Sequence, residues 1–170
     1  MRVLMTMTLT GAAVWPVAAS EVRLSIEIPQ LTVAEYHRPY VAVWLERADQ
    51  SFVGNVAVWY DLKLKDNEGT KWLKDLRQWW RRSGRELSMP VDGLSTVTRP
   101  PGNHQLKIDT AKVPFAGLPD GSYQMVVEAS REVGGRELLR IPFQWPLKDT
   151  QSVKAPGQHE LGAVVLDLKP

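Results

Sequence analysis

The chain has 170 residues, no cysteine, and 21 basic against 19 acidic residues for a formal net charge of +2. Without cysteine there can be no disulfide, thiolate metal site, thiol redox couple or haem attached through sulfur, and so even a charge balance argues against bulk nucleic-acid binding. The length suits one domain that buries a sizeable core without disulfides.

The chain opens Met1-Arg2, stays uncharged from Val3 through Val17 and closes this stretch on Ala18-Ala19-Ser20. A positive start, a short apolar run and small residues at its end are the parts of a secretory signal peptide, cleaved after Ala19 or Ser20. The run is short for a bilayer span and contains Gly11 and Pro16, so a retained anchor is the minor reading. The expectation is a signal peptide over 1–19 and a single domain over 20–170, exported to the periplasm with no membrane insertion after cleavage.

Past the leader, Val22, Leu24, Ile26 and Ile28 alternate with Arg23, Ser25 and Glu27, the period of a half-buried strand. Residues 40–45 are apolar on both faces, as in a central strand, and Asp49-Gln50-Ser51 makes a turn into a strand over 53–64. That strand places Val56, Val58, Tyr60 and Leu62 on one side and Trp59 on the other. Further strands are predicted over 104–108, 122–131, 137–145 and 161–168. Between the fifth and sixth lies Val133-Gly134-Gly135-Arg136, a tight turn in which glycine would supply positive φ. Leu118-Pro119-Asp120-Gly121-Ser122-Tyr123 resembles the tyrosine corner of Greek-key sandwiches. Seven short strands of this kind predict a mainly β fold, an Ig-like antiparallel β-sandwich with Greek-key features; the Cys-Trp-Cys pattern of true Ig domains is absent.

One inserted α-helix is predicted at about 70–84. Thr70 suits its N-cap, Trp72, Leu76, Trp79 and Trp80 recur near helical spacing, and Gly84 would supply a left-handed C-terminal residue. Arg81 and Arg82 fall in the last turn, where the helix dipole favours cations. Tryptophans at this spacing usually form core, and terminal arginines are usually solvated.

Just beyond the helix, residues 92–98 read Asp-Gly-Leu-Ser-Thr-Val-Thr, followed by Arg-Pro-Pro-Gly. This run resembles the acceptor sequence of bacterial FAD:protein FMN transferases, in which Asp92, Gly93 and Ser95 match and Thr96 fits a small position. The resemblance makes Thr98 the residue whose hydroxyl is esterified to the phosphate of FMN. Val97 departs from the Ala or Ser of the pattern and is stiffer. Gly93 admits close backbone approach, Pro100 biases Arg99 away from helix, and the segment over 88–102 is expected to be extended and accessible. A flavin held there needs an aromatic surface and cations, and Trp79, Trp80, Arg81, Arg82 and Arg99 are near in sequence. The competing reading of 92–98 is an ordinary Gly/Ser/Thr loop.

No catalytic Ser-His-Asp set, phosphate loop or carboxylate pair is legible. His37, His104 and His159 are scattered, so a metal or haem site needs folding to gather them. Glu35-Tyr36-His37-Arg38-Pro39-Tyr40 is an unusual run that suits binding or a strand lead-in equally.

Residues 28–45, 58–62, 66–82, 98–102 and 160–163 together resemble a family of predicted bacterial periplasmic proteins classed as a domain of unknown function. The resemblance implies partnership with PepSY-type membrane reductases and FMN transferases, in iron acquisition or respiration. The expectation is a periplasmic electron carrier with covalent FMN and no catalytic nucleophile or metal of its own. The alternatives are a non-catalytic Ig-like adaptor or ligand-binding module, and a metal- or haem-binding protein.

Overall fold

The computed structural model describes residues 20–170, so the signal peptide expected over 1–19 lies outside the described residues. In chain order the strands are β1 (Glu21–Ile28), β2 (Tyr40–Arg47), β3 (Phe52–Tyr60), β4 (Ser95–Val97), β5 (Gly102–Asp109), β6 (Gly121–Ser130), β7 (Arg136–Trp145), β8 (Gln151–Pro156) and β9 (Ala163–Lys169). They form a four-stranded sheet, β5-β1-β9-β8, and a five-stranded sheet, β4-β3-β2-β6-β7. All pairings are antiparallel except β3 with β4.

This is the mainly β sandwich expected, with two strands more than the sequence pattern announces. Strand β8 has only Val153 and Ala155 turned toward the core, too weak an alternation to read. Strand β4 falls inside the segment expected to be an open loop.

The main core lies between the sheets, where Leu24 and Ile26 meet Val41, Val43, Met125, Val127 and Leu166. Tyr123 closes one corner, its hydroxyl donating to the Pro119 carbonyl at 2.8 Å, as a tyrosine corner requires. The β2–β3 turn is built on Asp49, whose Oδ1 accepts from the Ser51 amide at 2.9 Å. In β3 a bulge falls at Val56, between the Val43–Ala57 and Trp44–Asn55 pairings. The extra residue flips the strand's faces. Val56 therefore packs with Ala57 and Trp59 on the main core, whereas Val58 and Tyr60 face outward, against the expectation that Val56 and Val58 share a side.

The outward face of the five-stranded sheet carries a second core. Tyr40, Ala42, Trp44, Val58, Tyr60 and Val126 meet Leu73, Leu76, Trp79 and Leu94 from the segment connecting β3 to β4. Strand β2 is therefore buried on both faces, in agreement with its doubly apolar sequence.

The connecting segment is less helical than its spacing suggests. A 3₁₀ stretch, Lys65–Asp75, is kinked where Asp66 and Asn67 take positive φ, and only Arg77–Arg82 (α1) is α-helical. Thr70 caps no α-helix; its Oγ1 donates to the Asn67 carbonyl at 2.7 Å. Gly84 is not left-handed. A Cβ there would stand 2.5 Å from the Trp79 ring, so glycine serves close packing.

The N-terminus of α1 is instead capped from across the sheet. The Glu128 carboxylate, on β6 and fully buried, accepts from the amides of Gln78 at 3.1 Å and Trp79 at 2.8 Å. It also accepts from Arg136 Nη1 at 3.0 Å. A carboxylate can be buried only where charge and hydrogen bonds compensate it, and free amides at a helix start provide such partners. Glu46 is satisfied alike, by Trp44 Nε1 at 2.9 Å and Arg140 Nε at 3.1 Å.

At the end of the sandwich where β6 turns into β7, Glu160 receives Arg131 Nε at 2.9 Å and Arg131 Nη2 at 3.2 Å, with both side chains buried. In that turn Val133 has φ +52° and the two glycines do not take positive φ. Side chains there would collide, Gly134 with the Arg131 guanidinium and Gly135 with the Glu160 carboxylate. Nearby, Glu137 accepts the amides of Gln158, His159, Glu160 and Leu161 at 2.7–2.9 Å. Burial pushes its carboxyl up, but the four amides outweigh this and hold it below its ordinary value of 4.5.

Two expectations follow. Glu128→Ala is expected to lower unfolding free energy by about 3 kcal/mol, since it strands buried donors, and Glu128→Gln by less; equal urea midpoints for wild type and Glu128→Ala would refute the capping role. The Glu137 contribution is fully present above pH 4.5, the unfolded value, and is lost as pH falls through the lower folded value. Glu137→Gln should therefore cost about 1–3 kcal/mol at pH 7 and much less at pH 3, read from paired denaturation curves.

Candidate functional site

The acceptor-like run forms the outer edge of the five-stranded sheet. Asp92 and Gly93 are exposed in a turn, and Gly93 has φ +72° with nothing near its open face, so its glycine serves the turn rather than close approach. Ser95 Oγ accepts from the Val91 amide at 2.9 Å, tightening that turn. From there Ser95, Thr96 and Val97 run parallel to Val58, Trp59 and Tyr60.

Thr98 follows and is not on an open loop: it is only 6% exposed. Its amide donates to the Tyr60 carbonyl at 3.2 Å, and its Oγ1 donates to Asp61 Oδ1 at 3.2 Å. The accessible, extended segment expected over 88–102 is corrected at this residue. The reason is the two-sided burial of the sheet, which draws β4 in as an edge strand.

The aromatic and cationic residues near Thr98 in sequence are dispersed. Trp79 is fully buried in the second core, with Nε1 donating to Asn55 Oδ1 at 2.8 Å. Its faces are enclosed by protein and not open to a ligand. Trp80 is half-buried, tilted against Trp79 at 6.3 Å. Arg81 and Arg82 are exposed on α1, and Arg81 Nε donates to the Arg77 carbonyl at 3.2 Å. Arg99 lies over the Trp59 ring, 5.6 Å from its centroid, a cation–π contact.

What folding does gather, on the Asp61 side of Thr98, is a polar cleft that Thr98 itself does not line. Asp61, which accepts the Thr98 hydroxyl, lines it with His37, Arg38, Tyr40, Trp72, Asp75, Ser130 and Glu132. His37 Nε2 stands 2.9 Å from Glu35 and Nδ1 3.6 Å from Glu132. Tyr40 donates to the Gly69 carbonyl at 3.0 Å, and burial pushes its phenol up. Tyr36, next to His37 in the chain but not in the cleft lining, has its hydroxyl buried with no hydrogen-bond partner, and burial pushes it up as well. Its enclosed part is small, a cavity of about 10 Å³, room for one water.

The three histidines stay apart: His37 sits in the cleft, His104 Nε2 is 2.7 Å from the Pro100 carbonyl, and His159 is exposed. Among the described residues no group of three or more His, Asp or Glu is disposed to hold a metal ion.

Sequence reasoning missed the roles of Asp61, Trp72 and Glu132. The available signals were an Asp closing a Val-Trp-Tyr strand and the unusual run over 35–40, both of which end at the cleft.

The family model described as "Predicted periplasmic protein (DUF2271)" matches residues 21–163, and the chain belongs to this family. That agrees with the expected export, and among the described residues no helix is long and apolar enough to cross a membrane. Comparison with curated proteins and with solved structures finds no match.

Replacing the Thr98 hydroxyl tests the geometry directly. Thr98→Val should lower stability by only about 1 kcal/mol, one hydrogen bond to an acceptor that water can reach. A cooperative urea transition near the wild-type midpoint is the expected readout, and an unfolded variant would contradict it.

Proposed function

We infer that this protein is a periplasmic electron carrier whose FMN is joined by a phosphoester bond to Thr98. The observation that carries this is the Thr98 hydroxyl, at the end of an acceptor-like run, donating to Asp61. An alcohol becomes a nucleophile when a base takes its proton, and Asp61 stands where such a base is needed. The donor is FAD, delivered by an FAD:protein FMN transferase. The Thr98 Oγ–phosphorus bond forms, the anhydride bond to the adenylyl half breaks, AMP leaves, and the hydroxyl proton passes to Asp61.

Burial of Thr98 sets a condition on this step. Strand β4 is three residues long, lies at a sheet edge and pairs only with β3, so it is the sort of segment that opens locally. The opening has to expose Thr98 to the transferase while its hydroxyl stays within reach of Asp61. The attached state cannot keep the Asp61 contact. Esterified oxygen has no proton to donate, and the phosphodiester charge repels the carboxylate.

Once attached, the flavin supplies the electron transfer and the protein supplies tether, orientation and local field. The residues fit a ring lying outside the cleft, whose interior admits only a water, and do not fit one stacked on Trp79. A PepSY-type membrane reductase is the proposed source of electrons, and a reducible acceptor such as ferric iron their destination.

A second reading, a non-catalytic Ig-like adaptor or ligand-binding module, is favoured by one observation, the near-complete burial of Thr98. Co-expression with an FMN transferase separates the two. The intact mass should rise by one FMN less one water in the wild type and stay bare in Thr98→Val. A bare wild-type mass together with a folded protein would select the adaptor.

A further inference from the structure

We propose that Trp72 is the aromatic platform for the flavin ring, an assignment that rests on attachment at Thr98. Among the described residues the other tryptophans are engaged. Trp44, Trp59 and Trp79 are buried, Trp80 packs against the second core, and Trp145 meets Phe115 edge-on at 5.3 Å. Among the described residues, Trp72 alone of the Trp, Tyr and Phe side chains is exposed, at 40%.

Its exposure follows from the segment that carries it. Leu73 and Leu76, three apart, both turn into the second core with no exposure, as the 3₁₀ repeat of three predicts. Trp72 is out of phase with them and turns to the cleft rim. Neither core needs its indole, and a large apolar face left in water at the edge of a polar cleft is the informative kind of exposure.

The placement matches the tether. Trp72 and Asp61 line one cleft, and Asp61 holds the Thr98 hydroxyl. The Asp61 contact is lost on attachment, but Thr98 starts from the Asp61 side of the cleft, so a ring on the ribityl-phosphate arm is directed to the side where the open indole stands. Isoalloxazine is flat and polarisable, so an offset stack on indole contributes beyond area burial. The cleft also presents Arg38, which makes no ion pair among the described residues. With Asp61, Asp75 and Glu132 in the same lining, it favours the neutral ring's carbonyls there and leaves the phosphate outside.

The test compares wild type, Trp72→Ala, Trp72→Phe and Trp80→Phe, each co-expressed with an FMN transferase and read by intact mass, flavin emission and reduction potential. An indole stacked on flavin quenches its emission. Emission per attached flavin should rise several-fold in Trp72→Ala, fall back partly in Trp72→Phe, and stay at the wild-type level in Trp80→Phe, with the potential displaced in Trp72→Ala. Equal emission and potential in wild type and Trp72→Ala, with flavin attached to both, would overturn the platform and leave attachment standing. Loss of attachment in Trp72→Ala alone would also overturn it, by assigning Trp72 to recognition by the transferase. Absence of flavin from every variant would overturn attachment, and the platform with it.

Discussion

The arrangement of the outer half of this protein depends on a carboxylate buried in the middle of a sheet. Glu128 points away from the main core, out of β6, where a bare charge could not stay. It is tolerated because the first amides of α1 and the Arg136 guanidinium converge on it. The same contacts orient the helix, so a single satisfied charge both requires and positions the segment above it. Trp79, whose amide is one of the donors, then drops into the second core and donates its indole proton to Asn55.

With that segment seated, the five-stranded sheet is covered on both faces, and the consequences reach the candidate site. Trp72 is left at the rim because Leu73 and Leu76 take the inward directions. The chain returns as β4 along the free edge of β3, which brings Thr98 beside Asp61. The cleft is thus built by one insertion meeting three other parts: the run over 35–40, the end of β3 and the end of β6.

The hydroxyl at the centre of the functional reading is held, not displayed. Its carboxylate partner both fixes it and can accept its proton, while a three-residue edge strand is among the least costly parts of a sheet to detach. A modification that removed that proton would also remove the reason for Thr98 to stay buried. On the proposed function, attachment and release of the edge would be two aspects of one change in hydrogen bonding.

Much of the frame was legible from residue order alone. Alternation in β1, the doubly apolar β2, the Asp49 turn and the Tyr123 corner are local patterns, set by a period of two and by turn chemistry that act over a few residues. The acceptor-like run and the family-like segments were equally local. The bulge at Val56, the broken helix, the burial of Thr98, the exposure of Trp72 and the enclosure of Trp79 were decided only by tertiary structure. Each depends on a partner far along the chain: a carboxylate about fifty residues beyond the helix it caps, an aspartate thirty-seven residues before the hydroxyl it accepts from. Periodicity reports which side of a strand or helix is apolar. It carries no record of which buried charge will need that helix's amides, and here that need determined which tryptophan was enclosed and which was left facing the cleft.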